Sequence, residues 1–90
     1  MIATAEGLNY SHLAQSLRGY GFTETIDARG RTFDHPSGAR IPLPALSDDA
    51  PLRLHHLVAT RGVVSDYGIA AAYDFDLTLL RLRERSKVHA

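Results

Sequence analysis

The chain has no cysteine, no surplus of either charge and no long apolar run. Without cysteine there is no disulfide framework and no thiolate metal site. Ten Lys and Arg balance ten Asp and Glu. A nucleic-acid binder ordinarily carries a basic surplus, because neutralised phosphates supply the bulk of its affinity. Any RNA contact here would therefore rest on a local basic face. A chain of zero net charge also tends to associate, which favours an oligomer or a bound protein partner. No apolar stretch approaches the roughly 20 residues that span a bilayer. The opening MIATAEGLNY has no basic segment followed by an apolar one, so no signal peptide and no membrane span are expected, and the expected location is cytoplasmic. Internal repeats and low-complexity segments are absent as well.

What is present suits one small globular domain. Ninety residues, 44% hydrophobic and 22% charged, leave room for a single core over residues 1–90, one that buries roughly 60–65% of the unfolded surface. Asn9 is a good N-cap, and Tyr10, Leu13, Ala14 and Leu17 follow at i, i+3, i+4 and i+7, which predicts a helix over 10–19 with His12, Gln15 and Ser16 off its apolar face. Gly19 and Gly21 supply its end. From Phe22 the period becomes two. Phe22, Glu24, Ile26 and Ala28 share one side of a first strand, Arg29-Gly30 makes a turn, and Arg31 to His35 form a second strand. Pro36-Ser37-Gly38 has turn chemistry at every position. Ala39, Ile41 and Leu43 alternate in a third strand, and Pro42 and Pro44 place it at an edge.

Beyond the meander, Ser47-Asp48-Asp49 reads as a helix start and Gly62 as a stop. That predicts a helix over 50–61 with Leu54, Leu57, Val58 and Arg61 on one side. The last third is ambiguous. Tyr73, Phe75, Leu77 and Leu79 alternate like a strand, whereas the Leu- and Arg-rich run after them favours a helix over about 76–86. The fold class is α+β: a helix, a three-stranded antiparallel meander and a helix, followed by a helical C-terminal extension.

The order helix, meander, helix is the core of the double-stranded-RNA-binding-domain-like fold. The residues further resemble a family that uses it, the HicA mRNA-interferase toxins. Leu13-x3-Leu17-x3-Gly21-Phe22 resembles the family's first helix running into a Gly-aromatic strand start. Phe33-x-His35-Pro36-x-Gly38-x2-Ile41-x-Leu43-Pro44 resembles its His-Pro-x-Gly segment and following strand, and Leu54-x2-Leu57-Val58-x3-Gly62 its second helix. The resemblance covers residues 10–64, with 65–90 an extension beyond the usual family length. It implies metal-independent ribonuclease activity on mRNA and a HicB-like antitoxin partner, with no cofactor. One departure bears on chemistry. Where the family typically carries Gly-Ser-His-His, just ahead of the His-Pro segment, this chain has Ala28-Arg29-Gly30-Arg31, so the family's active-site histidine is missing.

The site candidates follow. RNA cleavage without metal needs an acid and a base near working pH, a role suited to histidine. His35 is the one histidine in the meander; its other reading is a half-buried side chain beside a turn. Arg29, Arg31 and Arg40 are candidate phosphate contacts, or else cross-strand partners of Asp27 and Asp34. His55 and His56 are adjacent on a helix and point about 100° apart, so they cannot hold one ion at i, i+4 spacing, and no metal is expected. The cations of Arg81-x-Arg83-Glu84-Arg85-x-Lys87 suit a helix C-terminus. The apolar residues from Tyr73 to Leu82 pack on the sheet or serve a dimer or partner interface. Two functional readings follow: an RNA-directed, toxin-type protein, or a non-enzymatic interaction module built on the same scaffold.

Overall fold

The computed structural model describes residues 7–88. The element order is α1 (Tyr10–Gly19), β1 (Thr23–Asp27), β2 (Gly30–Asp34), β3 (Arg40–Pro44), α2 (Leu54–Asp66) and α3 (Ala72–Val88). The architecture is α+β as the sequence predicts: one helix, an antiparallel meander in the order β1-β2-β3, then two helices.

Helix α1 starts where Asn9 caps it. The Asn9 side chain accepts from the His12 N–H at 3.0 Å, and the His12 ring nitrogen Nδ1 accepts from the Asn9 N–H at 3.1 Å. This is a capping box in which histidine takes the usual place of Glu or Gln. The helix stops in a Schellman turn. Phe22 N–H donates to the Leu17 carbonyl at 3.0 Å and Gly21 N–H to that of Arg18 at 3.1 Å, with Gly21 at φ +96°. The predicted apolar stripe is buried, but so are His12 and Ser16. They lie off that stripe, and their burial follows from α3 packing against α1.

The meander pairs Glu24 with Phe33 and Phe33 with Ile41 in one cross-strand row, and Ile26, Arg31 and Leu43 in the next. Phe33, Ile41 and Leu43 join Phe22 and Ala39 in the core. Ile26 shares their side of the sheet yet remains 70% exposed, because β1 is an edge strand and α2 packs on β3 at the opposite edge. The loop between β1 and β2 is Ala28-Arg29, tightened by the Asp27 carboxylate accepting from the Arg29 N–H at 2.8 Å. Gly30 is the first residue of β2 and not part of the turn. At φ +143°, a Cβ there would drive into the Leu43 carbonyl oxygen and lie 2.9 Å from the Pro44 carbonyl carbon. The turn into β3 closes as predicted, with Gly38 N–H donating to the His35 carbonyl at 2.9 Å.

Helix α2 departs from expectation at both ends. Residues 48–52 do not start it; they run back along the N-terminal segment. Leu52 N–H donates to the Leu8 carbonyl at 2.9 Å, Ser11 N–H to Asp48 at 3.0 Å, and Asn9 and Pro51 form a bridge. That pairing, with Leu8 and Leu52 buried, overrides the acidic helix-start pattern. The helix then passes through Gly62 and ends at a second Schellman turn, Ile69 to Val64 and Gly68 to Ser65, both 3.0 Å, with Gly68 at φ +67°. Its buried side is Leu57, Thr60 and Val64, while Leu54 and Val58 remain exposed. Helix α3 is longer than predicted and begins at Ala72. Phe75 and Leu79 are fully buried, and an Arg61–Asp76 ion pair at 3.0 Å ties α3 to α2.

Candidate functional site

His35 lies between β2 and the Pro36-Ser37-Gly38 turn, and both its ring nitrogens are engaged. Nδ1 accepts from the Ser37 N–H at 3.0 Å and sits 2.8 Å from the Ser37 hydroxyl. A nitrogen that accepts from an amide carries no proton, so Nε2 holds the hydrogen and donates to the Tyr20 carbonyl at 3.1 Å. The ring also packs on Phe22, 4.9 Å between centroids. His35 thereby ties the β2–β3 turn to the end of α1. To act as a base at Nδ1 it would have to release the Ser37 amide, and to act as an acid at Nε2 it would have to leave Tyr20.

The three arginines are not brought together. Arg31 shares the inner side of β2 with Phe33, and its side chain is only 12% exposed. It lies 3.2 Å from Glu24 and 2.7 Å from Asp48, and it reaches toward the Leu46 carbonyl. Glu24 in turn meets Arg18 at 2.8 Å. Arg40 is on the opposite side of the sheet at its other end, paired with Asp34 at 2.8 Å, and that carboxylate raises the Arg40 pKa. Arg29 projects from the hairpin tip. It shares with Arg31, Asp27 and Pro42 a shallow depression of about 250 Å³, where two of the three candidates line one surface. The Asp27 carboxylate there and the two acids on Arg31 offset most of its positive charge.

Two other histidines occupy polar contacts inside the fold. Burial first, and then the Arg83 guanidinium, hold His12 below its ordinary value of 6.5. His56 is lowered by burial first, then by His55 and Arg53. Its Nδ1 receives the Tyr10 hydroxyl at 2.6 Å, and that hydroxyl accepts from the Arg53 N–H at 3.4 Å. Both imidazoles are therefore built into the fold as neutral groups. Among the described residues, no three His, Asp or Glu side chains gather where they could hold one ion.

Helix α3 carries a second apolar stripe, drawn from the Tyr73–Leu82 residues that the sequence offers as core packing or a partner interface. Phe75 and Leu79 face the core. Tyr73, Leu77 and Leu80 lie on the opposite side, and Tyr73 is 72% exposed. Leu77 and Leu80, with Arg81, Glu84 and Arg85, line a shallow, largely apolar groove of about 420 Å³. The spacing 73, 77, 80, 84 is the 4-3-4 repeat of a helix seam, and that repeat was the available sequence pattern. Among the described residues, no helix is long and apolar enough to cross a membrane. No protein family, no curated protein and no solved structure matches the chain.

Proposed function

We propose that this protein is a non-enzymatic interaction module that binds protein through the outward side of α3. One observation carries the reading: α3 is apolar on two opposite sides, and only one of them is needed for the core. A surface helix of a self-sufficient domain has one apolar stripe and a polar remainder. A second apolar stripe, exposed at Tyr73 and half-buried at Leu77 and Leu80, is a common mark of an interaction surface. The rest of the chemistry agrees. The inner-face arginine is neutralised inside the chain by Glu24 and Asp48, and His35 has both nitrogens occupied by its own backbone neighbourhood.

The RNA-directed reading keeps one specific support, the pairing of Arg29 with Arg31 around the hairpin depression. Labelled single- and double-stranded RNA, incubated with the protein in chelator at low ionic strength, separates the two. Phosphate contacts are strongest at low salt. The interaction-module reading expects neither retention nor cleavage. RNA retained by the wild type and released by Arg29→Ala, or cleavage lost in a folded His35→Ala variant, would overturn it in favour of the RNA-directed one.

A further inference from the structure

We infer that the occupant of the outer α3 stripe is α3 of a second copy, packed antiparallel about a two-fold axis midway between Leu77 and Leu80. This rests on the reading of the protein as an interaction module and adds which partner it takes. The seam positions are Tyr73, Leu77, Leu80 and Glu84. An axis at that point sets each Leu77 against Leu80 of the second copy, and each Tyr73 against Glu84, whose carboxylate can accept from the phenol.

Charge order on the helix favours this arrangement. Asp74 and Arg81 are exposed and sit seven residues apart, each one position after a seam residue. They therefore lie along one flank, with the acid toward the N-terminus and the base toward the C-terminus. Antiparallel packing brings like flanks together end for end, so each Asp74 meets Arg81 of the other copy, twice per dimer. Flanking charges of this kind set the orientation of paired helices. Asp76 and Arg83 repeat the order on the other flank, but both are engaged inside the chain, Asp76 with Arg61 and Arg83 with Glu84 and the Gly7 end of the chain. A parallel pair would instead stack Glu84 on Glu84 in the seam, leave Asp74 without its base and offer Arg81 only Asp76, which Arg61 already holds. The core side of α3 points away from the axis, so the two globules lie on opposite sides of the helix pair. Zero net charge leaves no long-range repulsion to oppose their approach.

A seam of about two heptads falls at the small, transient end of interface sizes. Sedimentation equilibrium on the full chain, up to several hundred micromolar, is therefore the appropriate assay. The wild type is expected to show a reversible monomer–dimer equilibrium. Asp74→Arg alone and Arg81→Asp alone each oppose like charges across the axis and should weaken dimerisation about tenfold or more. An equimolar mixture of these two variants restores both contacts and should form a heterodimer about as well as the wild type. Both variants are at exposed positions, and circular dichroism checks that they fold. A wild type that stays monomeric throughout, or a mixture that gains nothing over its components, overturns the proposal. Absence of a dimer together with absence of RNA binding would leave the interaction-module reading standing with a different partner, whereas specific RNA binding would remove that reading itself.

Discussion

The role of Arg31 can be decided by replacing it with methionine, which keeps an unbranched stem but removes the charge and its donors. Two ion pairs are lost, and they differ in depth. Asp48 is 62% exposed, so its pair with Arg31 contributes at most about 0.5–1 kcal/mol and is screened by salt. Glu24 is 15% exposed and Arg31 12%. Breaking a fully buried pair costs about 3–5 kcal/mol because the survivor is left uncompensated. Here Arg18 stays 2.8 Å from the same carboxylate, which brings that cost down to about 1–2 kcal/mol. Arg31→Met should therefore lose about 2 kcal/mol, or about 10 °C in Tm for a domain of this size. Urea unfolding of the wild type, Arg31→Met, Glu24→Gln and the double variant isolates the pair, with an expected coupling of about 1–2 kcal/mol. The Glu24 part should persist at high salt while the Asp48 part fades. If Arg31→Met unfolds like the wild type within about 0.3 kcal/mol yet loses retention of RNA at low salt, the guanidinium is a phosphate contact and the argument fails.

Two further perturbations test the fold at positions where chemistry and geometry give a sign. His12 and His56 have pKa values lowered by burial, so the unfolded chain binds protons more readily than the folded one. The stability this supplies is complete above about pH 6.5 and is lost as pH falls through that value toward the folded-state pKa values. The urea midpoint should be flat from about pH 7 to 8 and fall as the pH drops below about 6.5, less steeply in His12→Gln, which keeps the capping-box acceptor without titrating; a midpoint that rises on acidification refutes the assignment. Gly30→Ala and Gly62→Ala should move stability in opposite directions. The first meets backbone at positive φ and should cost about 3 kcal/mol or more. The second has open space in a helix interior and should gain about 0.5–1 kcal/mol, so equal shifts in thermal melts would contradict both.

How far the sequence could be read depended on whether the cause of each element was local. Asn9, the period-two run from Phe22 and the Pro36-Ser37-Gly38 turn act on their own neighbours, and α1 and the meander came out nearly to the residue. Helix α2 was displaced because its start is set by pairing with a segment some forty residues earlier, Leu52 on Leu8, which no local pattern reports. Its end was misplaced for a different reason. Gly62 and Gly68 are equally plausible stops in sequence, and only Gly68 has the two amide bonds of the Schellman turn behind it. Among the candidate site residues, the inward direction of Arg31 was available from parity, since Arg31 and Phe33 share a side of the strand. Its two carboxylate partners were not, because Asp48 arrives on a loop. The bland alternative for His35, a half-buried side chain beside a turn, matches where the ring lies. Its bond to the Tyr20 carbonyl is a tertiary contact and was not legible.

The ambiguity of the last third has a physical origin that bears on function. Tyr73, Phe75, Leu77 and Leu79 alternate with polar residues, and alternation is ordinarily evidence for a strand. Here it comes from two helical stripes offset by two residues: Phe75 and Leu79 inward, Tyr73 and Leu77 outward. On a helix, a step of two residues turns about 200°, close to the 180° that separates the sides of a strand. A helix apolar on opposite sides must therefore imitate a strand over a short window. Only a longer one, reaching Leu80, Leu82 and the charged positions after them, reveals the 4-3-4 spacing. The feature that obscured the secondary structure is thus the one that carries the proposed interface. A chain needing only its own core could have placed polar residues at 73, 77 and 80 at a small cost in folding stability. Leu77 and Leu80 are half-buried, so the expected consequence is that Leu77→Gln together with Leu80→Gln costs the dilute monomer only about 1–2 kcal/mol, well short of the loss of a core leucine, while abolishing association. A large loss of monomer stability would instead mean that the outer stripe serves the fold.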